Sequence, residues 1–177
     1  TEDGSFNSRT VYDGSGTPVD FTYQQVTNDL TLEQALLMPL TFLFNDRHPY
    51  NWHTNGSNSL WSYNGEKTPY DPSPEGWKIP ESGSGTNSPW YGYSVGNGSW
   101  NSLGGMLFDG NTYYPATGVR RYLNGAFYDV AQRGYAWSAT GYGSQALCLG
   151  FGPTSVTIDM TAYRGNALPV RCVKEDD

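Results

Sequence analysis

Apolar residues along this chain arrive in runs of about five, a typical strand length, and the runs stop on Gly, Ser, Asn or Pro. Residues 146–151 (ALCLGF) and 167–173 (ALPVRCV) read as buried strands, and each carries one of the two cysteines. Residues 103–108 and 112–114 flank Asp109-Gly110-Asn111, a turn signal that predicts a β-hairpin. Residues 21–26 alternate weakly and predict a first strand. One stretch has helical spacing: Thr31 and Gln34 match a capping box, Leu32, Ala35 and Leu36 take i, i+3, i+4 positions, and Pro39 ends the run. Two turns of helix are not stable alone, so the leucine face is expected to dock on the core, with 40–44 (LTFLF) following as a buried segment.

Between these elements the chain is punctuated by breakers. Residues 67–80 (KTPYDPSPEGWKIP) are dense in proline, which fixes φ and bars regular ladders; they predict a rigid corner anchored by Trp77 and Ile79 that feeds a short strand or helix. Residues 81–89 (ESGSGTNSP) read as a surface loop. Residues 1–18 read as an arm or linker, with order beginning near Val11 or Val19, and residues 19–177 as one domain.

Composition sharpens this picture. Only 15% of residues are charged, so the 14 Tyr, 7 Phe and 6 Trp must supply much of the core, and 22 Gly with 11 Pro disfavour long helices. A net charge of −7 without a Lys or Arg cluster argues against nucleic-acid or anionic-membrane binding. No apolar run reaches the roughly 18 residues of a membrane span. The Tyr-, Trp-, Asn- and Gly-rich, Lys-poor balance points to an exported bacterial or phage surface protein, extracellular or on the cell surface.

Candidate chemistry is sparse. His48 and His53 lie near Asp46 but lack a matched set of further ligands, and they read as a hydrogen-bonded loop rather than a metal site. The chain has no Gly-x-Ser-x-Gly elbow, no phosphate-cradling loop and no His-Glu-x-x-His, so a non-enzymatic role without a cofactor is expected.

Four segments in order carry a family resemblance: TLEQALLMPLTFL, NSLWSYNGEKTPYDPSPEGWKIP, YYPATGVRRYLNGAFYDVAQRGYAWSA and RGNALPVRCVKE. Together, over residues 30–175, they resemble the Fibrobacter-type major paralogous domain of Bacteroidetes surface proteins. The same grammar resembles variable proteins of diversity-generating retroelements. The resemblance implies an α+β, C-type-lectin-like fold of the variety shared with formylglycine-generating enzyme: small twisted antiparallel sheets, one or two short helices and many loops. It implies that residues 114–118 enter a ligand face, that 135–139 form a strand or its mouth, and that 169–173 return through the core. Carried onto this chain, the diversified ligand-binding positions fall at Arg121, Tyr122, Asp129, Arg133, Tyr135, Thr140, Tyr142 and Gln145. Tyr and Arg are favoured anchors of binding faces, and Asp and Gln supply adaptable hydrogen bonds.

The chain departs from the pattern it resembles at Ser73, where many members of that family carry a cysteine, so a bridge from there to Cys172 is impossible. Cys148 and Cys172 are left to pair across neighbouring strands, closing a loop of about 25 residues worth on the order of 3 kcal/mol, or to remain two buried thiols. The calcium-binding Glu-Pro-Asn, Gln-Pro-Asp and Trp-Asn-Asp motifs of sugar-binding C-type lectins are absent, which argues against calcium-dependent sugar binding. The leading expectation is therefore a recognition module that binds a surface protein or glycan. A structural or pilus-associated surface module is the alternative, and a copper-binding or thiol-oxidising pair at Cys148 and Cys172 is a more distant one.

Overall fold

The three longest strands form one sheet near the C-terminal end of the chain. In the computed structural model, which describes residues 11–19, 22–25, 30–47, 50–51, 57–63, 65–82, 85–86 and 88–175, they are Gly134–Tyr142 (β13), Gln145–Gly152 (β14) and Ser155–Tyr163 (β15). They pair antiparallel in the order β13-β14-β15. Gly143-Ser144 joins the first two strands; Gly143 takes φ 59° at the first turn position, a conformation glycine adopts without a Cβ penalty. Bulges interrupt the register between Trp137 and Gly141 and between Cys148 and Gly150.

Shorter strands surround this sheet. Val11–Tyr12 (β1) pairs with Pro18–Val19 (β2), and Thr22–Gln25 (β3) pairs in parallel with Thr41–Phe44 (β4) across the helix Leu32–Leu36 (α1). Ser62–Tyr63 (β5) pairs with Glu66–Lys67 (β6). Trp77–Lys78 (β7) waits for the end of the chain, Val173–Lys174 (β16). A 3-10 turn at Val95–Asn97 leads into the meander Gly98–Asn101 (β8), Gly105–Phe108 (β9) and Thr112–Pro115 (β10), and Val119–Arg120 (β11) pairs with Phe127–Tyr128 (β12). The described residues form mostly small antiparallel sheets, loop-rich, with only 6% helix.

The central sheet is covered on both faces. Ala136, Leu149 and Phe151 meet Trp90, Met106, Phe108 and Tyr114 on one side. On the other, Tyr135, Trp137, Cys148 and Ala162 meet Val119 and Leu168. The first core is aromatic: Tyr93 stacks on Phe108 at 4.1 Å between centroids, Phe108, Tyr114 and Phe151 meet edge to face, and Trp90 Nε1 donates to the Tyr114 hydroxyl at 3.0 Å. Gly134 is required there, since a Cβ would fall 1.9 Å from Phe151 Cζ.

Several expectations hold in detail. Asp109-Gly110-Asn111 turns the β9–β10 hairpin, with Phe108 opposite Thr112, and Thr31 caps α1 with both hydrogen bonds of the capping box. The proline-rich corner is fixed by two polar side chains. Lys67 Nζ donates to the carbonyls of Ser73, Pro74 and Trp77 at 2.7, 2.8 and 2.7 Å, while buried Asp71 accepts from the amides of Ser73 and Ile79 at 2.7 and 2.9 Å. Ile79 is a buried anchor as expected, whereas Trp77 is exposed on the short strand β7.

Other expectations need correction. Residues 167–173 are not a buried strand: Ala167 makes an isolated bridge to Arg120, Pro169 O accepts from Trp137 N at 2.9 Å, and only Val173 enters a ladder. Pro169 has no amide to donate, which limits this segment to such single contacts. Tyr114 belongs to the aromatic core rather than to an exposed face. The apolar face of α1 does not dock tightly: none of its residues is buried, Leu36 is 67% exposed, and the following Leu37 is 79% exposed. A cavity lies between the helix and the sheet, so this face meets space instead of side chains. His48 and His53 lie outside the described residues.

Of the two states left open for the cysteines, a bridge or two thiols, the structure has both thiols free, Cys148 buried and Cys172 half-buried. Strand β14 is flanked by β13 and β15, so Cys172 is on no neighbouring strand of Cys148. Instead the Ser73 hydroxyl donates to Cys172 Sγ at 2.9 Å. Burial pushes the Cys148 thiol up to about 12. In native protein at pH 8, iodoacetamide is expected to alkylate Cys172 first and Cys148 only on unfolding; equal rates at both, read by peptide mass spectrometry, would contradict this placement. Ser73→Cys should oxidise to a bridge with Cys172 that raises unfolding stability by up to about 4–5 kcal/mol in the loop-entropy limit, and a variant that stays reduced in air would show that the contact is misplaced.

Candidate ligand-binding cleft

The hairpin β11–β12 and the strands β13 and β15 enclose a cleft of about 300 Å³. It forms because the loop from Arg121 to Ala126 is tied at its base, with Arg121 N donating to Ala126 O and Gly125 N to Arg121 O, both at 2.9 Å. The Arg120 side chain braces it from below, Nε to Gly125 O at 2.9 Å with the guanidinium over Phe127 at 5.2 Å. Five of the eight expected positions line this cleft: Arg121, Tyr122, Asp129, Tyr135 and Gln145.

Their roles differ. Arg121 is exposed, its guanidinium 4.0 Å from the centroid of the Tyr128 ring, which presents the charge on a planar platform. Tyr122 is half-buried in a ring cluster with Tyr50 and Tyr163, at centroid distances of 4.6 and 4.9 Å, so it supports the fold as well as the cleft wall. Its amide donates to Asn166 Oδ1 at 3.0 Å. Burial, then the neighbouring hydroxyls of Tyr50 and Tyr163, raise its phenol above the ordinary range. Tyr135 is buried and donates its hydroxyl to Asp129 Oδ2 at 3.0 Å. Asp129 adopts φ 61°, a conformation uncommon outside glycine, and holds its Oδ2 on that bond.

Three expected positions do not line the cleft. Arg133 is exposed and stands at its margin, its side chain close enough to the Tyr135 hydroxyl to favour the ionised phenol, while its carbonyl accepts from Gly118 N at 2.9 Å. Thr140 sits within the bulged stretch of β13, donating to Glu81 Oε2 at 2.6 Å and accepting from Ser82 N at 2.9 Å. Tyr142 is 62% exposed at the tip of the β13–β14 hairpin. The cleft also contains residues that pattern reasoning did not single out: Val119, Leu123, Met160 and Leu168 give it an apolar floor and rim. The alternation of apolar and polar residues along 155–163 (SVTIDMTAY) is the signal that could have found Met160; Leu123 sits in an irregular loop with no periodicity to betray it.

No metal-binding group of three or more His, Cys, Asp or Glu side chains occurs among the described residues. The two thiols lie in separate surroundings, Cys148 within the sheet core and Cys172 against Ser73. The chain matches no family model, no curated protein and no solved structure.

The Tyr135–Asp129 contact has a pH signature. Burial, then the hydrogen bond to Asp129, push the Tyr135 phenol up to about 12, above its unfolded value near 10. A raised folded pKa stabilises the fold fully below the unfolded pKa, and that contribution is lost as pH rises from about 10 to about 12, up to roughly 2–3 kcal/mol. Chemical denaturation at stepped pH should show this fall, and Tyr135→Phe should flatten its part of it. An unchanged slope in the variant would show that Tyr135 is not the group responsible.

Proposed function

We propose that the chain is a non-enzymatic recognition module, built on a C-type-lectin-like scaffold and displayed on a bacterial or phage surface, that binds a protein or glycan through the cleft beside β11–β12. The observation that carries this reading is the convergence of Arg121, Tyr122, Asp129, Tyr135 and Gln145, drawn from three separate segments, on one open cleft. Within it an exposed Arg on an aromatic platform and the 48% exposed Leu123 offer charge and apolar area on the outside. Buried Tyr135 is tied to half-buried Asp129 by a hydrogen bond that supports a rigid floor. Rigid floor and free rim are what a binding face needs to recognise a partner without paying much ordering entropy. Retroelement diversification of these positions belongs to the same proposal.

The competing reading, a structural or pilus-associated surface module, draws on the exposed Leu36 and Leu37 at α1, which would suit a contact within an assembly. Copper or thiol chemistry has less support, because Cys148 is buried and protonated and Cys172 is hydrogen-bonded to Ser73.

The two leading readings separate on glycan and protein arrays probed with the wild-type domain and with Arg121→Ala/Leu123→Asp. Both substituted side chains are exposed, so the melting temperature should change little while capture falls at least about tenfold. Equal capture by the variant, or no capture by the wild type on either array, would refute the recognition reading.

A further inference from the structure

A second and larger cavity, about 440 Å³, lies between α1 and the central sheet and shares only Asn166 with the cleft among the described residues. Its walls are apolar: Leu32 and Ala35 from the helix, Phe42 from β4, then Leu60, Trp61 and Trp137. Its size falls within the range of small-molecule sites. Polar residues also line the cavity, Asn58, Ser138 and Asn166 among them, and two stand out, Asn51 and Arg164.

Asn51 lines the cavity and is 8% exposed, and its Oδ1 is buried without a hydrogen-bond partner among the described residues. A buried acceptor left unmatched costs free energy that an incoming donor would recover. Arg164 lines the same cavity, half-buried, and burial lowers its pKa. Its Nε donates to Gln145 O at 3.0 Å, and its Nη2 donates to Asn58 Oδ1 and Gly143 O. All these acceptors are neutral, and no carboxylate pairs with it among the described residues. A desolvated cation without a counter-ion favours an anion.

The two groups belong to neighbouring parts of the wall. Gly165, next to Arg164, approaches Tyr50 so closely that a Cβ would fall 2.3 Å from Tyr50 O, and Tyr50 precedes Asn51. Only glycine permits that approach.

We propose that this cavity is a binding site for a small amphiphile with an apolar, ring- or chain-like body, a hydrogen-bond donor for Asn51 and an anionic head for Arg164. The apolar body fills the space under α1, and the exposed Leu36 rims the mouth through which it enters. This site is distinct from the recognition cleft, which it meets only at Asn166 and through the Arg164–Gln145 hydrogen bond, and its test does not involve Arg121 or Leu123.

1-Anilinonaphthalene-8-sulfonate carries all three features, and N-phenyl-1-naphthylamine is the same ring system without the sulfonate. Titrated into the folded domain, the sulfonate should bind saturably, quench Trp61 and Trp137 by energy transfer, and leave near-UV circular dichroism native. Ala35→Trp, which fills the space under the helix, should weaken both probes at least about tenfold. Arg164→Met should weaken the sulfonate by a similar factor and leave the neutral probe within about twofold. In the wild type, octanoate should displace the sulfonate at a concentration at least about tenfold below that of 1-octanol, the reverse of their hydrophobicity. That comparison stands even where Arg164→Met does not fold. No saturable binding to the folded wild type, unchanged binding in Ala35→Trp, or octanol displacing as well as octanoate would overturn the proposal.

Discussion

Strand β14 uses both hydrogen-bonding edges on its neighbours and presents both faces to apolar cores. Every residue from Cys148 to Gly152 is therefore buried, and a polar side chain there would lose its water on either face with no ladder partner to replace it. The run ALCLGF satisfies that constraint with apolar residues and a glycine. Its consequences reach outward: Leu149 and Phe151 demand the aromatic cover of Trp90, Phe108 and Tyr114, and Cys148 demands that of Val119 and Leu168.

Those covering elements have little regular structure of their own, so polar fastenings hold them. Lys67 and Asp71 gather the proline-rich corner, and β7 pairs with the end of the chain at β16. The cleft inherits its shape from this arrangement. Its floor, Tyr135 and Met160, stands on the sheet; its rim, Arg121 and Leu123, stands on a loop whose base is tied but whose side chains reach solvent. Buried contacts are concentrated in the sheet, while the rim side chains meet solvent, the arrangement in which loops open more readily than the core.

Local chemistry was legible in the sequence wherever neighbours in the chain decide the outcome. The capping box at Thr31 and Gln34 and the turn at Asp109-Gly110-Asn111 each need only a few consecutive residues, and both form as read. The buried run at 146–151 was legible because two-sided burial leaves an unbroken apolar stretch. Residues 167–173 gave the same apolar signal, yet their cover comes from single contacts to Arg120 and Trp137 that no pattern encodes. The grouping of Arg121, Tyr122, Asp129, Tyr135 and Gln145 came from the resemblance; composition alone would not have chosen them. The Arg164–Asn58 contact spans 106 residues, and Lys67 captures carbonyls on a corner that closes only in three dimensions, so neither leaves a sequence trace. The cavity under α1 escaped for a related reason: helical spacing shows which face is apolar and not whether anything fills the space before it.

The dependence of the whole structure on β14 is open to amide hydrogen exchange under increasing denaturant. Amides of residues 146–151 should exchange only through global unfolding, with the full unfolding free energy and its full denaturant dependence, while those of 121–125 open locally at lower cost. Exchange of the β14 amides through local opening, with little denaturant dependence and below the cost of opening β9–β10, would contradict the account.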